Sequence, residues 1–251
     1  MAIMVEGRYR ARLAETPEDL RAAQRLRWRC FLGRSAPDGA AGDGLDADAL
    51  DAECLHLLVE DNRTGQLVAC CRFMALENGG QIGRSYSAQY YDLSRLETYD
   101  APMVEMGRFC VDPDRRDPDI LRLAWRALSR HIDQARAGML FGCSSFTGTE
   151  PDRYADAFAM LRARHLAPRR WLPRVKAPQV FRFARALRLM TPDPRRAMAA
   201  MPPLLRSYLA MGGWVSDHAV VDRQLDTLHV FTGVEIGAIP PARQRWLRGA
   251  V

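Results

Sequence analysis

A carboxylate and a guanidinium lie three residues apart in a stretch that otherwise has the composition of a buried strand. The stretch is 103–113, MVEMGRFCVDP, and its two charges are Glu105 and Arg108. A buried strand accommodates ionised side chains only when they are paired or used in chemistry. Glu105 could act as a general base, and the planar fork of Arg108 could hold a carboxylate. The alternative is that the two charges simply pair within the fold.

The residues that follow predict the elements that position this pair. Asp117 and Pro118 are typical of a helix N-cap and first helical position, and apolar residues then recur at helical spacing. The run 139–145, MLFGCSS, predicts a second strand. A strand, a crossover helix and another strand form a βαβ unit with the charged pair near its start.

More charges lie upstream. A helix is predicted from Thr16 to about Gly33, and we interpret its several arginines mainly as a solvated face. Two strands, 54–61 and 67–74, flank a Gly turn and form a hairpin that carries Arg72 on its second strand. The loop between helix and hairpin contains five aspartates and no Lys or Arg: Asp38, Asp43, Asp46, Asp48 and Asp51.

The acidic loop has three possible explanations. It could hold a metal ion, attract a cationic substrate, or simply be solvated. A calcium loop needs regularly alternating ligands with a downstream Glu, and the spacing here does not supply them. We therefore favour a cationic substrate and expect no metal.

Composition sets the class of protein. The 251 residues are 48% hydrophobic and 26% charged, which is normal for a globular domain. No apolar run approaches a membrane span and the first residues lack a signal-peptide pattern, so we expect a cytoplasmic protein. The six cysteines form no Cys-x-x-Cys pair and are expected to be small buried side chains in a reducing compartment, with a thiol nucleophile at Cys110 or Cys143 as the alternative.

Charge is distributed unevenly along the chain. Residues 162–251 contain 15 Arg, one Lys and five acids, a net +11, whereas residues 1–161 carry −5. Such a segment attracts an acidic protein, an anionic membrane or nucleic acid. Residues 180–190 fit a basic amphipathic helix lying on an anionic membrane, or a packed surface helix. We predict a core at 1–166 and a basic extension at 167–251 packed on the same domain.

The order of elements resembles a GNAT-type acyltransferase. The stretch 25–113 is similar to two families, the acyl-homoserine-lactone synthases and the ornithine acyltransferases that make lyso-ornithine lipid. The residues that carry this likeness are Arg25, Phe31, Asp48, Asp51, Arg72, the run 90–93 and the strand 105–112. The runs 51–59, 201–212 and 221–231 resemble the ornithine acyltransferase group more closely.

The resemblance implies a mixed α/β (α+β) GNAT fold, with a central twisted sheet, flanking helices and a basic C-terminal extension. It implies transfer of a 3-hydroxyacyl group from acyl carrier protein to the α-amino group of L-ornithine, the first step of ornithine lipid synthesis. Strands 103–111 and 139–145 would splay apart, with a main-chain N–H stabilising the oxyanion. Glu105 and Arg108 would be catalytic. The substrate-binding candidates are Arg25, Asp48, Asp51, Arg72, Phe109, Cys143 and Ser144.

The expected partners follow from the same likeness. GNAT enzymes that use coenzyme A carry a Gly-rich loop whose N–H groups cradle the pyrophosphate. Here residues 111–120 contain no Gly and four Asp, which would repel a pyrophosphate. We expect no cofactor, an acyl carrier protein as co-substrate, peripheral contact with an anionic membrane, and no nucleic acid.

Other functions remain open from the sequence alone. The acceptor could be another amino acid, or S-adenosylmethionine in a lactone synthase. The enzyme could also be a protein-lysine acyltransferase. If the protein is not an enzyme, the basic segment would indicate a nucleic-acid-binding protein.

Overall fold

The computed structural model describes residues 3–33, 44–115 and 117–248, with the side chains of 246–248 excepted. The strands are β1 Met4–Glu6, β2 Tyr9–Leu13, β3 Leu55–Asp61, β4 Leu67–Leu76, β5 Tyr91–Asp92, β6 Met103–Val111, β7 Met139–Thr147, β8 Arg174–Val175, β9 Val180–Phe181, β10 Trp214–Val215, β11 Ala219–Asp222 and β12 Thr227–Glu235. The helices are α1 Pro17–Phe31, α2 Ser87–Tyr90, α3 Pro118–Gln134, α4 Ala155–Arg164, α5 Phe183–Ala186, α6 Pro194–Ala200, α7 Pro203–Ala210 and α8 Pro241–Arg248. None of the helices in these ranges is both long and apolar enough to cross a bilayer.

The chain divides into two compact units. Unit 1 takes in the described residues of Met1–Ala75, Met106–Arg136 and Arg245–Val251. Unit 2 is Leu76–Glu105 and Ala137–Gln244. The boundary expected at 166/167 therefore falls inside unit 2, where residues on both sides of it share one core.

Unit 1 is a sheet with the strand order β1-β2-β3-β4-β6, antiparallel from β1 to β4. The predicted start of α1 is confirmed, because Thr16 and Asp19 form a reciprocal capping box. Ala23 and Leu26 of α1 pack on Leu58 and Cys70 of the hairpin. The predicted start of α3 is also confirmed, with the Asp117 carboxylate accepting a hydrogen bond from the Asp119 N–H.

Unit 2 is built on the strand order β6-β7-β12-β11-β9, in which β6 contributes residues 103–105. Those residues pair in parallel with 139–141 of β7, as the βαβ pattern predicts. The strand β7 then pairs antiparallel with β12 along nine residues. On one face of this sheet, Phe146 of β7 and Leu228 of β12 belong to the core formed with α4. On the other face, Phe141 and Phe231 stack on each other.

The prediction of a long amphipathic helix at 180–190 is wrong. Val180 and Phe181 pair with β11 as a short strand, and only Phe183–Ala186 is helical. Phe183 is fully buried and stacks on Phe158 of α4 at 5.1 Å between ring centroids. Three of the apolar positions of this pattern, Phe183, Ala184 and Leu187, pack on the core of unit 2.

This packing gives a test with a matched pair. Phe183→Ala should lower the free energy of unfolding by about 3–4 kcal/mol, because it removes a buried aromatic ring and leaves a cavity. Leu189→Ala, six residues away at a side chain that is 86% exposed, should change it by less than about 0.5 kcal/mol. Urea denaturation measures both values, and equal effects would contradict the placement of Phe183.

Candidate functional site

Six charged side chains of unit 1 form a network, which we call the Arg–Asp network. It consists of three arginines and three aspartates: Arg27, Arg72, Arg108, Asp46, Asp48 and Asp51. The arginines come from α1, β4 and β6, and the aspartates come from the loop before β3. Equal numbers of opposite charges allow these groups to be buried together.

Asp51 is the centre of the network. Its Oδ1 accepts from Arg27 Nη1 at 2.8 Å and from Arg72 Nη1 at 2.6 Å. Its Oδ2 accepts from Arg27 Nη2 and Gln24 Nε2, both at 2.9 Å. A carboxylate has about four acceptor positions, so these donors already fill the capacity of Asp51. Asp51 is therefore a residue that positions arginines and has no capacity left for a substrate cation.

Arg27 is the most deeply buried member, with its side chain only 1% exposed. Its Nε donates to Asp46 Oδ2 at 2.9 Å and its Nη2 also donates to the Asp46 carbonyl. The interpretation of the α1 arginines as a solvated face is thus wrong for Arg27. Arg25 lies on the exposed side of α1, and its role in binding a carboxylate stays a prediction.

The network reaches solvent at Arg108 and Asp48. Asp48 accepts two hydrogen bonds from Arg72, at 2.5 and 2.7 Å. Arg108 donates through Nε to Asp46 at 2.9 Å, and its Nη2 lies 3.5 Å from Asp48. The side chain of Asp48 is 31% exposed and that of Arg108 12%, against 3% for Arg72. These two residues are the members that a zwitterionic ligand could meet.

The network also controls protonation. Burial alone would raise the pKa of Asp51, but hydrogen bonds from Arg27 and Gln24 outweigh it and hold that pKa well below the usual range. The same balance holds for Asp48. Burial alone would raise its pKa, but the hydrogen bonds and the charge of Arg72 lower it. His56 completes the surroundings, since its Nε2 bonds the Asp51 carbonyl at 3.0 Å and burial lowers its pKa. His56 is thus a buried histidine whose ring has a hydrogen-bond partner.

The backbone at Arg108 departs from strand geometry. Its φ is +52°, a left-handed value that is uncommon for a residue with a side chain and costs on the order of 1 kcal/mol. The same residue carries the ion pair to Asp46. The strained backbone and the ion pair to Asp46 therefore occur at the same residue.

Glu105 belongs to a separate cluster in unit 2, which we call the Glu105 cluster and define as Glu105, Tyr86, Ser87 and Cys143. The Glu105 carboxylate is buried and accepts hydrogen bonds from two neighbouring residues. Oε2 takes the Tyr86 N–H at 2.8 Å, while Oε1 takes the Ser87 N–H at 2.8 Å and the Ser87 hydroxyl at 2.6 Å. These donors stabilise the negative charge and fix the orientation of the carboxylate.

The adjacent residues Cys143 and Ser144 point to opposite faces of the sheet, as successive strand residues must. Cys143 Sγ lies 3.5 Å from Ser87 Oγ, on the Glu105 side. Ser144 Oγ is 3.0 Å from Thr232 Oγ1, on the face that Phe146 and Val230 share with α4. Of the two, Cys143 is the one that faces the Glu105 cluster. Phe109 is half-buried on β6, and its role as a substrate contact stays a prediction.

Aromatic and imidazole rings continue the Glu105 side of unit 2. His229 of β12 is packed edge-on against Tyr90 and Tyr91, with ring centroids 5.0 and 5.7 Å away. Burial lowers the pKa of His229 to about 4, so its ring is neutral near neutral pH. Among the described residues no cluster of three or more His, Cys, Asp or Glu is arranged to hold a metal ion.

Sequence reasoning missed three residues of these clusters. Arg27 and Asp46 appeared only within groups, and Ser87 was not singled out. A signal existed for Arg27, because positions 23, 26, 27 and 30 form one helical stripe that includes two apolar residues and a cysteine. Ser87 had no such signal, since its role comes from a carboxylate eighteen residues away. Asp38 and Asp43 of the acidic loop lie outside the described residues.

Comparison with known proteins now defines the class. A family model described as "Acetyltransferase (GNAT) domain" matches residues 26–126. The chain has the mixed α/β fold expected of a GNAT-type acyltransferase, and that is its class.

Relatives narrow the class to a family. The chain is 34% identical over 230 residues to an L-ornithine N(alpha)-acyltransferase of Rhodobacter capsulatus, covering 88% of each. It is 31% identical over 242 residues to the L-ornithine N(alpha)-acyltransferase of Rhizobium meliloti, covering 91% of this chain and 80% of the relative. The chain belongs to the L-ornithine N(alpha)-acyltransferase family.

Solved structures show more distant likeness. The AHL synthase LasI matches with a TM-score of 0.47 and 18% identity, over 97% of this chain and 96% of that one. FeeM, an N-acyl amino acid synthase from uncultured soil microbes, matches with a TM-score of 0.48 and 9% identity, over 92% of each chain.

The Arg–Asp network predicts a large loss of stability when one carboxylate is neutralised. Asp51→Asn should lower the free energy of unfolding by on the order of 3 kcal/mol, because Arg27 and Arg72 would lose the charge that compensates their burial. Asp114→Asn is the matched control, since the Asp114 side chain is 87% exposed. This substitution should change the free energy of unfolding by less than about 0.5 kcal/mol. Similar stability of the two variants would contradict the central role of Asp51.

A pH dependence follows from the same pKa shifts. The pKa of Asp51 is lower in the folded than in the unfolded chain, so its contribution to stability is present above about pH 4 and is lost as the pH falls through the folded value. The difference in unfolding free energy between wild type and Asp51→Asn should therefore shrink between about pH 5 and about pH 2. Urea denaturation at several pH values measures it, and a constant difference would argue against a charge effect.

Proposed function

We propose that the protein transfers a 3-hydroxylated fatty acyl group from an acyl carrier protein thioester to the α-amino group of L-ornithine. The product is an Nα-acylated, lyso-type ornithine lipid. The observation that carries the proposal is the similarity to relatives named L-ornithine N(alpha)-acyltransferase, at 34% identity over 88% of both chains for one of them. The oriented Glu105 carboxylate supports the chemistry.

Glu105 is the proposed general base. An ammonium cannot attack a thioester until a base removes a proton. Glu105 takes that proton, directly or through a water molecule, and the amine nitrogen then attacks the thioester carbonyl carbon. The carbon–sulfur bond breaks, the amide forms, and the carrier thiol leaves with a proton. Ser87 holds Oε1 through both its N–H and its hydroxyl, so the base keeps one orientation during the reaction.

Arg108 and Asp48 are the proposed contacts of the amino acid. Arg108 has a partly exposed guanidinium, whose planar fork suits a carboxylate. Asp48 is the most exposed aspartate of the Arg–Asp network and suits a cationic group of ornithine. Arg72 and Asp51 hold these two in place, a change from the substrate contacts first expected for them. Arg25, Phe109, Cys143 and Ser144 remain further candidates.

The donor is proposed to be carried by a protein and not by coenzyme A, with no other cofactor. Residues 111–120 contain four Asp and no Gly. Asp112 pairs with Arg29, and Asp117 caps α3. The N–H groups of Asp114 and Asp119 are already bonded to the carboxylates of Asp112 and Asp117, so these two are not available to a pyrophosphate. The basic residues of 162–251 suit an acidic carrier, and we further propose a cytoplasmic enzyme that touches the membrane peripherally.

A product assay tests the proposal. The purified protein is incubated with 3-hydroxyacyl carrier protein and a mixture of amino acids, and the lipids are identified by mass spectrometry. Acyl-ornithine is the expected product. Acylated glycine or glutamine would show that the acceptor is a different amino acid. A lactone product would identify a homoserine-lactone synthase, and an acylated polypeptide would identify a protein-lysine acyltransferase. The absence of any amide product from either carrier-bound or coenzyme A donors would contradict an acyltransferase.

The role of Glu105 gives a kinetic prediction. Glu105→Gln should lower kcat by about 10²–10⁴-fold, the usual contribution of a general base. Ser87→Ala should lower kcat by about tenfold or more, because one charge-assisted hydrogen bond to the base is lost while the two N–H donors remain. Steady-state kinetics with acyl carrier protein measures both.

The control for Glu105 is Glu97→Gln, at an exposed glutamate of the same unit. It should leave kcat within about twofold of the wild-type value. Circular dichroism and urea denaturation establish that the variants fold. Folded Glu105→Gln with wild-type kcat would remove Glu105 from the mechanism without affecting the choice of substrate.

A further inference from the structure

Residues 182–198 of unit 2, which we call the arginine segment, have an unusual surface. Five exposed arginines occur in it: Arg182, Arg185, Arg188, Arg195 and Arg196. None of the five makes an ion pair with an Asp or Glu of the described residues. The one acid of the segment, Asp193, is used locally, since its carboxylate accepts the N–H groups of Arg195 and Arg196 at the start of α6.

The arginines of unit 1 behave differently. Most of those whose side chains the structure describes meet a carboxylate; examples outside the Arg–Asp network are Arg8, Arg10, Arg12, Arg29, Arg122 and Arg126. In unit 1, arginine therefore serves the fold by pairing. In the arginine segment, the charge is left for solvent or for a partner outside the chain.

The arginine segment also exposes apolar side chains to solvent. Leu189 is 86% exposed and Met198 is 44% exposed. Leu189 is fixed there, because Arg162 of α4 donates from Nη1 to the Arg188 carbonyl at 2.8 Å and from Nη2 to the Met190 carbonyl at 3.1 Å. The buried sides of α5 and α6, through Phe183 and Ala197, share one core with α4. The exposed sides of both helices thus turn away from the same core.

We propose that the arginine segment docks the protein on an anionic lipid surface, with Leu189 inserted among the lipid headgroups. Arginines around an apolar side chain suit this partner, because guanidiniums pair with lipid phosphates while apolar atoms leave water. The inference rests on the proposed function for its purpose, since an acylated amino acid is an amphiphile that must pass into a membrane. The contact is made by short packed helices and loops, in place of the long surface helix that the sequence suggested.

An acidic protein is the competing partner, and the observations favour lipid. Charge alone would suffice to attract an acidic carrier protein. Charge does not explain why Leu189 is exposed, in a backbone segment that Arg162 fixes by hydrogen bonds to the carbonyls on either side of it. Insertion into a headgroup layer uses both the charge of the arginines and the exposed leucine side chain.

Vesicle co-sedimentation tests the proposal without substrate, so its outcome is independent of the reaction. The full chain is mixed with vesicles of phosphatidylcholine, with or without phosphatidylglycerol. Arg195→Glu/Arg196→Glu should weaken binding to the anionic vesicles by about tenfold or more, since each arginine near such a surface contributes on the order of a factor of five. Acids in the first turn of α6 are favourable for the helix, so this variant is expected to fold. Leu189→Ser should weaken binding by about tenfold, and its effect should persist at high salt.

The matched control is Arg21→Glu/Arg63→Glu, which makes the same charge change at two exposed arginines of unit 1. It should bind like wild type. Equal loss of binding in the control, or no binding of the wild type to anionic vesicles, would overturn the proposal. The proposal would also fail if the segment variants bound vesicles normally but raised KM for acyl carrier protein, because the segment would then dock the carrier. Acyl-ornithine formation from soluble substrates by the segment variants would show that the proposed function stands whichever of these outcomes is found.

Discussion

A buried guanidinium needs a carboxylate, and much of unit 1 is arranged to satisfy that need. Arg27 is almost fully buried on α1 and cannot shed its charge, so it requires Asp46 and Asp51 at fixed positions. Those aspartates come from the loop before β3, and Arg72 of β4 and Arg108 of β6 share the same carboxylates. The network thereby ties one helix, one loop and two strands together, and it presents Arg108 and Asp48 at its exposed end.

The Glu105 cluster solves a different problem, because a buried carboxylate that serves as a base must be held in place and still be able to accept a proton. Two backbone N–H groups and one hydroxyl donate hydrogen bonds to the Glu105 carboxylate. These donors fix the orientation of the carboxylate and also stabilise its negative charge. Asp51 is different, since its arginine partners hold its pKa far below the working range. Both carboxylates are buried, and Glu105 is the one that we propose as the base, because its donors leave it in one orientation.

The sequence predicted those parts of the fold that local rules determine. The capping box at Thr16, the start of α3 at Pro118 and the strands of the hairpin all follow from short-range signals. The sequence could not decide that Arg27 is the buried arginine of α1 and Arg25 the exposed one. That depends on which side of α1 faces the loop before β3, and the position of this loop is set by the tertiary structure. The role of Ser87 and the packing of Phe183 depend on contacts between residues far apart in the chain. Spacing located an apolar face at 183–187 but could not say whether protein or lipid covers it.

Arginine illustrates why composition alone could not separate structure from function here. The chain contains almost no lysine, so arginine serves both as a buried structural ion and as a surface charge. What distinguishes the two uses is the supply of acids. Residues 1–161 contain 25 acids for 20 arginines, and most of the described arginines of unit 1 are paired. Residues 162–251 contain five acids for 15 arginines and one lysine. The five arginines of the arginine segment make no ion pair with a described Asp or Glu, so their charge suits a partner that brings negative charge from outside the chain.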